Sequence, residues 1–302
     1  MDPVLGRLVD DRRGPTSHKA GIWAPELGCT DEPNEGLIMS IEGLPSDWEA
    51  TRATLQRYAH AVTAAPRAAA PPHPRWAQVA MDFGSTGLAT AATPLADGTE
   101  LVSTIDLVDH RIVITAGDTT RTIDLTTGPS PKSVGEAVLA VAALHGTAID
   151  ADSARFEDDS SQEYDEAAAA AFLSVATSVV AAFDAINESI EGEITGPHLW
   201  PHGFDIATEW YSSKSVDYEG TPTSAQIAVG WYPAGDAYFY ANPWPFEESF
   251  TEVALPSGAV WNTEGWYGAK IDVTDLDPKT AGATVVSLGK AVHAAARDSL
   301  TS

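Results

Sequence analysis

Residues 203–211 read GFDIATEWY, and the period assigned to this stretch decides the fold. At the strand period of two, Phe204, Ile206, Thr208 and Trp210 share one face, while Asp205, Ala207, Glu209 and Tyr211 share the other. The first set is apolar enough for a core. The same alternation runs through 224–232, where Ile227, Val229 and Trp231 turn inward and Gln226, Ala228, Gly230 and Tyr232 oppose them. In 236–241 Phe239 points inward, with Tyr238 and Tyr240 opposite. In 265–273 Ala269, Ile271 and Val273 point inward, against Trp266, Gly268, Lys270 and Asp272. Four strands with one aliphatic face predict an antiparallel sheet covered on one side.

What covers it is helical. Over 165–190, Phe172, Val175, Val179, Phe183, Ile186 and Ile190 fall on one stripe, and 278–299 presents Val285, Leu288 and Val292. The first half repeats this order. A helix is expected from Ser46 or Asp47 to Pro66, then a proline-rich connector PRAAAPPHP, then short strands over 76–126 and a helix over 132–145 closed by Gly146. The expected class is therefore α+β, built from two similar helix/antiparallel-sheet/helix units at 47–149 and 165–302. An acidic linker at 150–164 joins them, an irregular extension fills 1–46 with a short strand at 36–41, and the shared order suggests an internal duplication.

The composition narrows the partners. With 43 acidic against 17 basic residues the formal charge is −26, which repels phosphate backbones and anionic membrane surfaces, so neither nucleic acid nor membrane is expected as a partner. A small polar ligand, neutral or cationic, fits better; the oligomeric state is left open. Cys29 is the only cysteine, so neither an intramolecular disulfide nor a cysteine-metal cluster can form. No signal-peptide run opens the chain and no segment is read as a membrane span, so a cytoplasmic location is expected. No nucleotide, flavin or cysteine-metal motif identifies a cofactor.

The succession DWEATRATLQRYAHAV, GLATAATP, IDLVDHRIVI, HLWPHGFDIA, GWYPAG and YFYANPWP resembles an uncharacterised bacterial domain-of-unknown-function family, DUF5996, over about residues 47–300. The resemblance implies a fold and a set of positions but no reaction: Asp109 with His110, His198 before Phe204 and Asp205, and the turn from Gly230 to Pro233. Lys214 stands where it would lead one to expect an arginine.

The candidate site is the second face of the later sheet, with Asp205, Glu209, Gln226, Tyr238, Tyr240 and Lys270 as its floor and Asn242, Trp244 and Trp266 in loops beside it. Small residues, carboxylates and flat rings suit a polar, partly flat ligand; the alternative is a solvated face. A competing reading is a hydrolase-type enzyme using His198 with Asp205 or Glu264 as acid and base, with or without a metal, and a third is a protein–protein interaction module. His198 and His202 are four apart, but Pro201 and Gly203 remove the helix that would align them on a metal. Packing of each ring on a tryptophan is the plainer reading. For Asp109 and His110 it is a hairpin turn in which Asp109 takes backbone amides.

Overall fold

The computed structural model describes residues 40–301. Cys29, and most of the extension and short strand expected before residue 46, lie outside the described residues. The first helix, α1 (Trp48–Val62), starts at Asp47, which makes no side-chain cap bond. Chain turning at Thr63 then continues into α2 (Ala64–Ala69) rather than ending at Pro66. Pro66 sits in the first turn of α2, where its missing N–H leaves no helical bond unmade. The expected connector is therefore partly helical.

Six strands follow: β1 (Met81–Gly84), β2 (Gly87–Thr90), β3 (Thr93–Pro94), β4 (Glu100–Asp106), β5 (Arg111–Ala116) and β6 (Thr119–Asp124). Helix α3 (Pro131–Leu144) is capped by Ser130, whose Oγ accepts the Ser133 amide, and carries proline in its first turn. Helix α4 (Glu166–Asn187) begins with the Asp165 carboxylate accepting the Ala168 amide. The second set of strands is β7 (Glu193–Ile194), β8 (His198–Trp200), β9 (Asp205–Tyr218), β10 (Thr221–Tyr232), β11 (Tyr238–Trp244), β12 (Val260–Asn262) and β13 (Gly268–Asp272), and α5 (Ala281–Thr301) ends the described chain.

The architecture is α+β. The strands form one antiparallel sheet in the order β12-β13-β11-β10-β9-β8-β1-β2-β4-β5-β6, with β3 beside β4 and β7 beside β9. Both halves run helix, strands, helix; the first half's strands proceed outward from β1 to β6, and the second half's from β8 to β11, after which β12 forms the edge and β13 returns between β12 and β11. They meet where β1 pairs with β8, Met81 opposite Leu199 and Asp82 opposite His198. The segment 150–164 thus divides the chain but not the sheet, and a single core continues beneath both halves. That segment is itself packed: Phe156 is buried against Gly135 of α3, where any Cβ would overlap its ring. The shared order of the halves is the observation on which the expected duplication rests.

The four long helices cover one face of the sheet, with α1 beside α3 and α4, and α4 beside α5. Trp48, Phe172, Phe204 and Trp231 pack together there, and the Trp48 Nε1–H donates to the Pro233 carbonyl at 2.9 Å, fastening α1 to the second half. Helix α4 corrects one expectation. By length and composition its 22 residues could cross a membrane, at a mean hydropathy of 1.8. Its alanines raise the hydropathy, and Ala168, Ala169, Ala176 and Ala182 are buried with Phe172, Val175, Val179, Phe183 and Ile186 in the core of the protein.

Candidate functional site

The helix-free face of the sheet is built in rows. Pairing places Lys270, Tyr240, Gly230, Ala207, His198 and Asp82 side by side across six strands. The glycine of that row decides its shape. A Cβ on Gly230 would fall on Cζ and Oη of Tyr240, so the glycine is what lets the ring lie across β10. The phenol then reaches β9, where its O–H donates to Asp205 Oδ2 at 2.6 Å, a charge-assisted bond.

Beside this bond lies a wide-mouthed cavity of about 240 Å³, open to solvent and lined by Asp205, Tyr232, Tyr238, Tyr240, Asn242 and Trp266. Its rings touch one another. Tyr238 stacks on Trp266 with centroids 6.0 Å apart and planes 16° apart, Tyr240 meets Trp266 edge-on at 6.3 Å, and Tyr232 leans on Tyr238 at 5.4 Å. Gly268 allows the Trp266 ring to close in, since a Cβ there would meet both that ring and the Ala241 carbonyl. Lys270 stands at the rim: its Nζ is 4.9 Å from the Tyr238 ring centre and 2.8 Å from Asp272 Oδ1.

Of the residues singled out from the sequence, Asp205, Tyr238, Tyr240, Asn242 and Trp266 converge on the cavity, and Lys270 borders it. The others separate. Glu209 is 6% exposed and committed to internal bonds, accepting from Thr195 Oγ1 at 2.6 Å and Trp200 Nε1 at 3.0 Å. Gln226 lies in the row of Tyr211 and Trp244, away from the cavity walls, and Trp244 packs edge-on against Tyr218 at 5.7 Å. Asn242 and Trp244 belong to strand β11 and not to a loop. Glu264 is exposed in the turn between β12 and β13 and forms no part of the walls. Tyr232 was legible on this face from its alternation, yet only the structure makes it a wall.

His198 finds a carboxylate, but a different one. Its Nδ1 lies 2.7 Å from Asp82 Oδ1, across the junction of the halves. Nothing local in the sequence points to Asp82, because the pair joins residues 116 apart. The His202 ring packs edge-on to Trp200. Among the described residues no three histidine, cysteine, aspartate or glutamate side chains gather to hold a metal. In the first half, Asp106 rather than Asp109 accepts the turn amides, those of Val108 and Asp109, while Asp109 pairs with Arg111 at 2.6 Å. His110 bonds Tyr164 at 2.8 Å. Lys214 donates to the Ser299 carbonyl at 2.8 Å near the end of α5, a position where a cation favours the helix.

The face is not simply solvated. Ala207, Glu209 and Tyr211 are all buried, Tyr211 beneath the Arg75 guanidinium 3.8 Å above its ring. Burial pushes the Asp205 carboxyl up, against the Tyr240 bond and the nearby His202, which pull it down. It pushes Glu209 up likewise, against its Thr195 bond, His198 and the Trp200 bond. Both groups therefore bind protons more tightly folded than unfolded. Their contribution to stability is complete below the ordinary values of 3.8 and 4.5 and is lost as pH rises through the raised ones. Glu209→Gln should flatten the fall in urea midpoint above pH 4.5 relative to the parent. An unchanged pH dependence would show that Glu209 does not titrate abnormally.

The chain belongs to a family of unknown function (DUF5996), whose model matches residues 44–267. That span includes every wall residue of the cavity and stops short of β13 and α5. No curated protein and no solved structure matches the chain.

Proposed function

We propose that this protein binds a small polar ligand, neutral or cationic, in the cavity between β9, β10, β11 and the Trp266 segment. One observation carries the reading: a sheet face whose small residues make room for a ring-walled cavity of about 240 Å³ with a carboxylate on its wall. A few polar groups in a largely aromatic concavity are the usual composition of small-molecule sites. Five of the six wall residues come from paired strands, Trp266 comes from the turn before β13, and the core lies on the other face, so the fold itself supports most of the concavity.

A thermal-shift screen of small polar compounds, neutral, cationic and anionic, tests it. Hits should be neutral or cationic, and Asp205→Ala and Tyr240→Phe should each weaken them about tenfold or more, the loss of one hydrogen bond to a charged group being about 1.5–3 kcal/mol. Hits that bind both variants as well as the parent would place the ligand elsewhere.

The Asp82–His198 pair favours a second reading, acid–base catalysis with Asp82 orienting the imidazole. Asp82 is 68% exposed, so the pair opens to solvent instead of into the cavity. Under this reading the substrate docks at the junction of β1 and β8, outside the cavity, and His198→Gln abolishes its turnover.

A further inference from the structure

Resting on the reading of the cavity as a ligand site, we propose that its ligand carries an alkylated ammonium head, with the positive charge masked by methyl groups. Four of the six wall residues are Tyr232, Tyr238, Tyr240 and Trp266, whose ring faces are negative and attract a cation. The only acidic wall residue is Asp205, and one of its oxygens already holds the Tyr240 hydroxyl at 2.6 Å. A primary ammonium needs three acceptors to replace its water. An alkylated head needs none, and is served by ring faces and by a nearby negative charge acting through space.

The charge balance favours a cation. Asp272 neutralises Lys270 at 2.8 Å, so the rim lysine does not cancel Asp205. The Tyr238 ring already holds the Lys270 ammonium 4.9 Å from its centre, which is a cation–π contact made by the protein's own chain. An anionic ligand would meet Asp205 inside a molecule whose formal charge is −26. A neutral ligand would leave that carboxylate without a compensating charge.

The test compares choline with 3,3-dimethylbutan-1-ol, which has the same shape with carbon in place of the charged nitrogen, by calorimetry and by shifts of the tryptophan and tyrosine ring signals. Choline should bind the full chain at least about tenfold tighter than the alcohol. Trp266→Leu and Asp205→Asn should each weaken choline several-fold, with the folded spectrum otherwise kept. Equal binding of both probes, or binding of the alcohol alone, overturns the ammonium proposal while leaving the cavity as a ligand site. Choline binding untouched by both variants also overturns it. Failure of both probes, together with failure of the wider polar screen, overturns the cavity reading itself.

Discussion

Phe172→Ala should destabilise the protein by about 3–5 kcal/mol, the usual range for removing a large aromatic side chain from a packed interior. Phe172 is fully buried on α4. It stacks on Trp48 with centroids 5.1 Å apart and planes 10° apart, and packs on Phe204 at 5.4 Å and Trp231 at 6.1 Å. Trp48 comes from the first half and the other two from the second, so the truncation opens a void where the halves share their core. A fold of this kind is stable by only about 5–15 kcal/mol in all. Urea unfolding followed by tryptophan fluorescence and by far-ultraviolet dichroism should give one coincident transition in the parent and in the variant, at a lower midpoint. Two separated transitions in the parent would show that each half unfolds by itself, contrary to the shared sheet and core. A cost below about 1 kcal/mol would mean that the ring is not tightly held.

Which parts were legible in the sequence follows from the reach of each signal. The alternation in 203–211 and 224–232 acts between neighbours on one strand, and it identified the core face: Ile206, Thr208, Trp210, Ile227, Val229 and Trp231 are all buried, although Ala207, Glu209 and Tyr211 on the other face are buried as well. Proline was misread at Pro66 because its effect depends on position, disruptive inside a helix and harmless in a first turn. The site divided along the same line. Tyr238, Tyr240 and Asp205 share a face by alternation alone, so their convergence could be anticipated. The partners of His198 and Glu209 could not, because pairing of β1 with β8, and of β7 and β8 with β9, sets them. Alternation says which face a residue takes but not which strand will lie beside it, and that neighbour is what supplies these partners. Glu209 also looked like a ligand contact for a physical reason, since an isolated carboxylate on a sheet face reads the same whether solvent or Thr195 and Trp200 satisfy it.

Gly230→Ala makes the sharpest claim about the site, because it adds one carbon and touches no wall residue directly in sequence. The new Cβ would fall on the Tyr240 ring edge, so the ring must leave its place over β10. Its hydroxyl then abandons Asp205, and a half-buried carboxylate loses its side-chain donor. Overpacking of this sort costs about 1–3 kcal/mol, and a lost hydrogen bond to a charged group about 1.5–3 kcal/mol. The expected sum is about 3–5 kcal/mol, with the cavity filled or distorted and ligand binding abolished. A double-mutant cycle separates this cause from a general weakness of β10. In a Tyr240→Leu background there is no ring for the Cβ to meet and no hydroxyl to displace, so Gly230→Ala should cost less than about 1 kcal/mol. The difference between the two backgrounds, about 2–4 kcal/mol, is then the coupling through the ring, well above the few tenths expected of independent positions. If alanine at this position costs the same in both backgrounds, Gly230 serves the strand rather than Tyr240, and the cavity does not owe its shape to that residue.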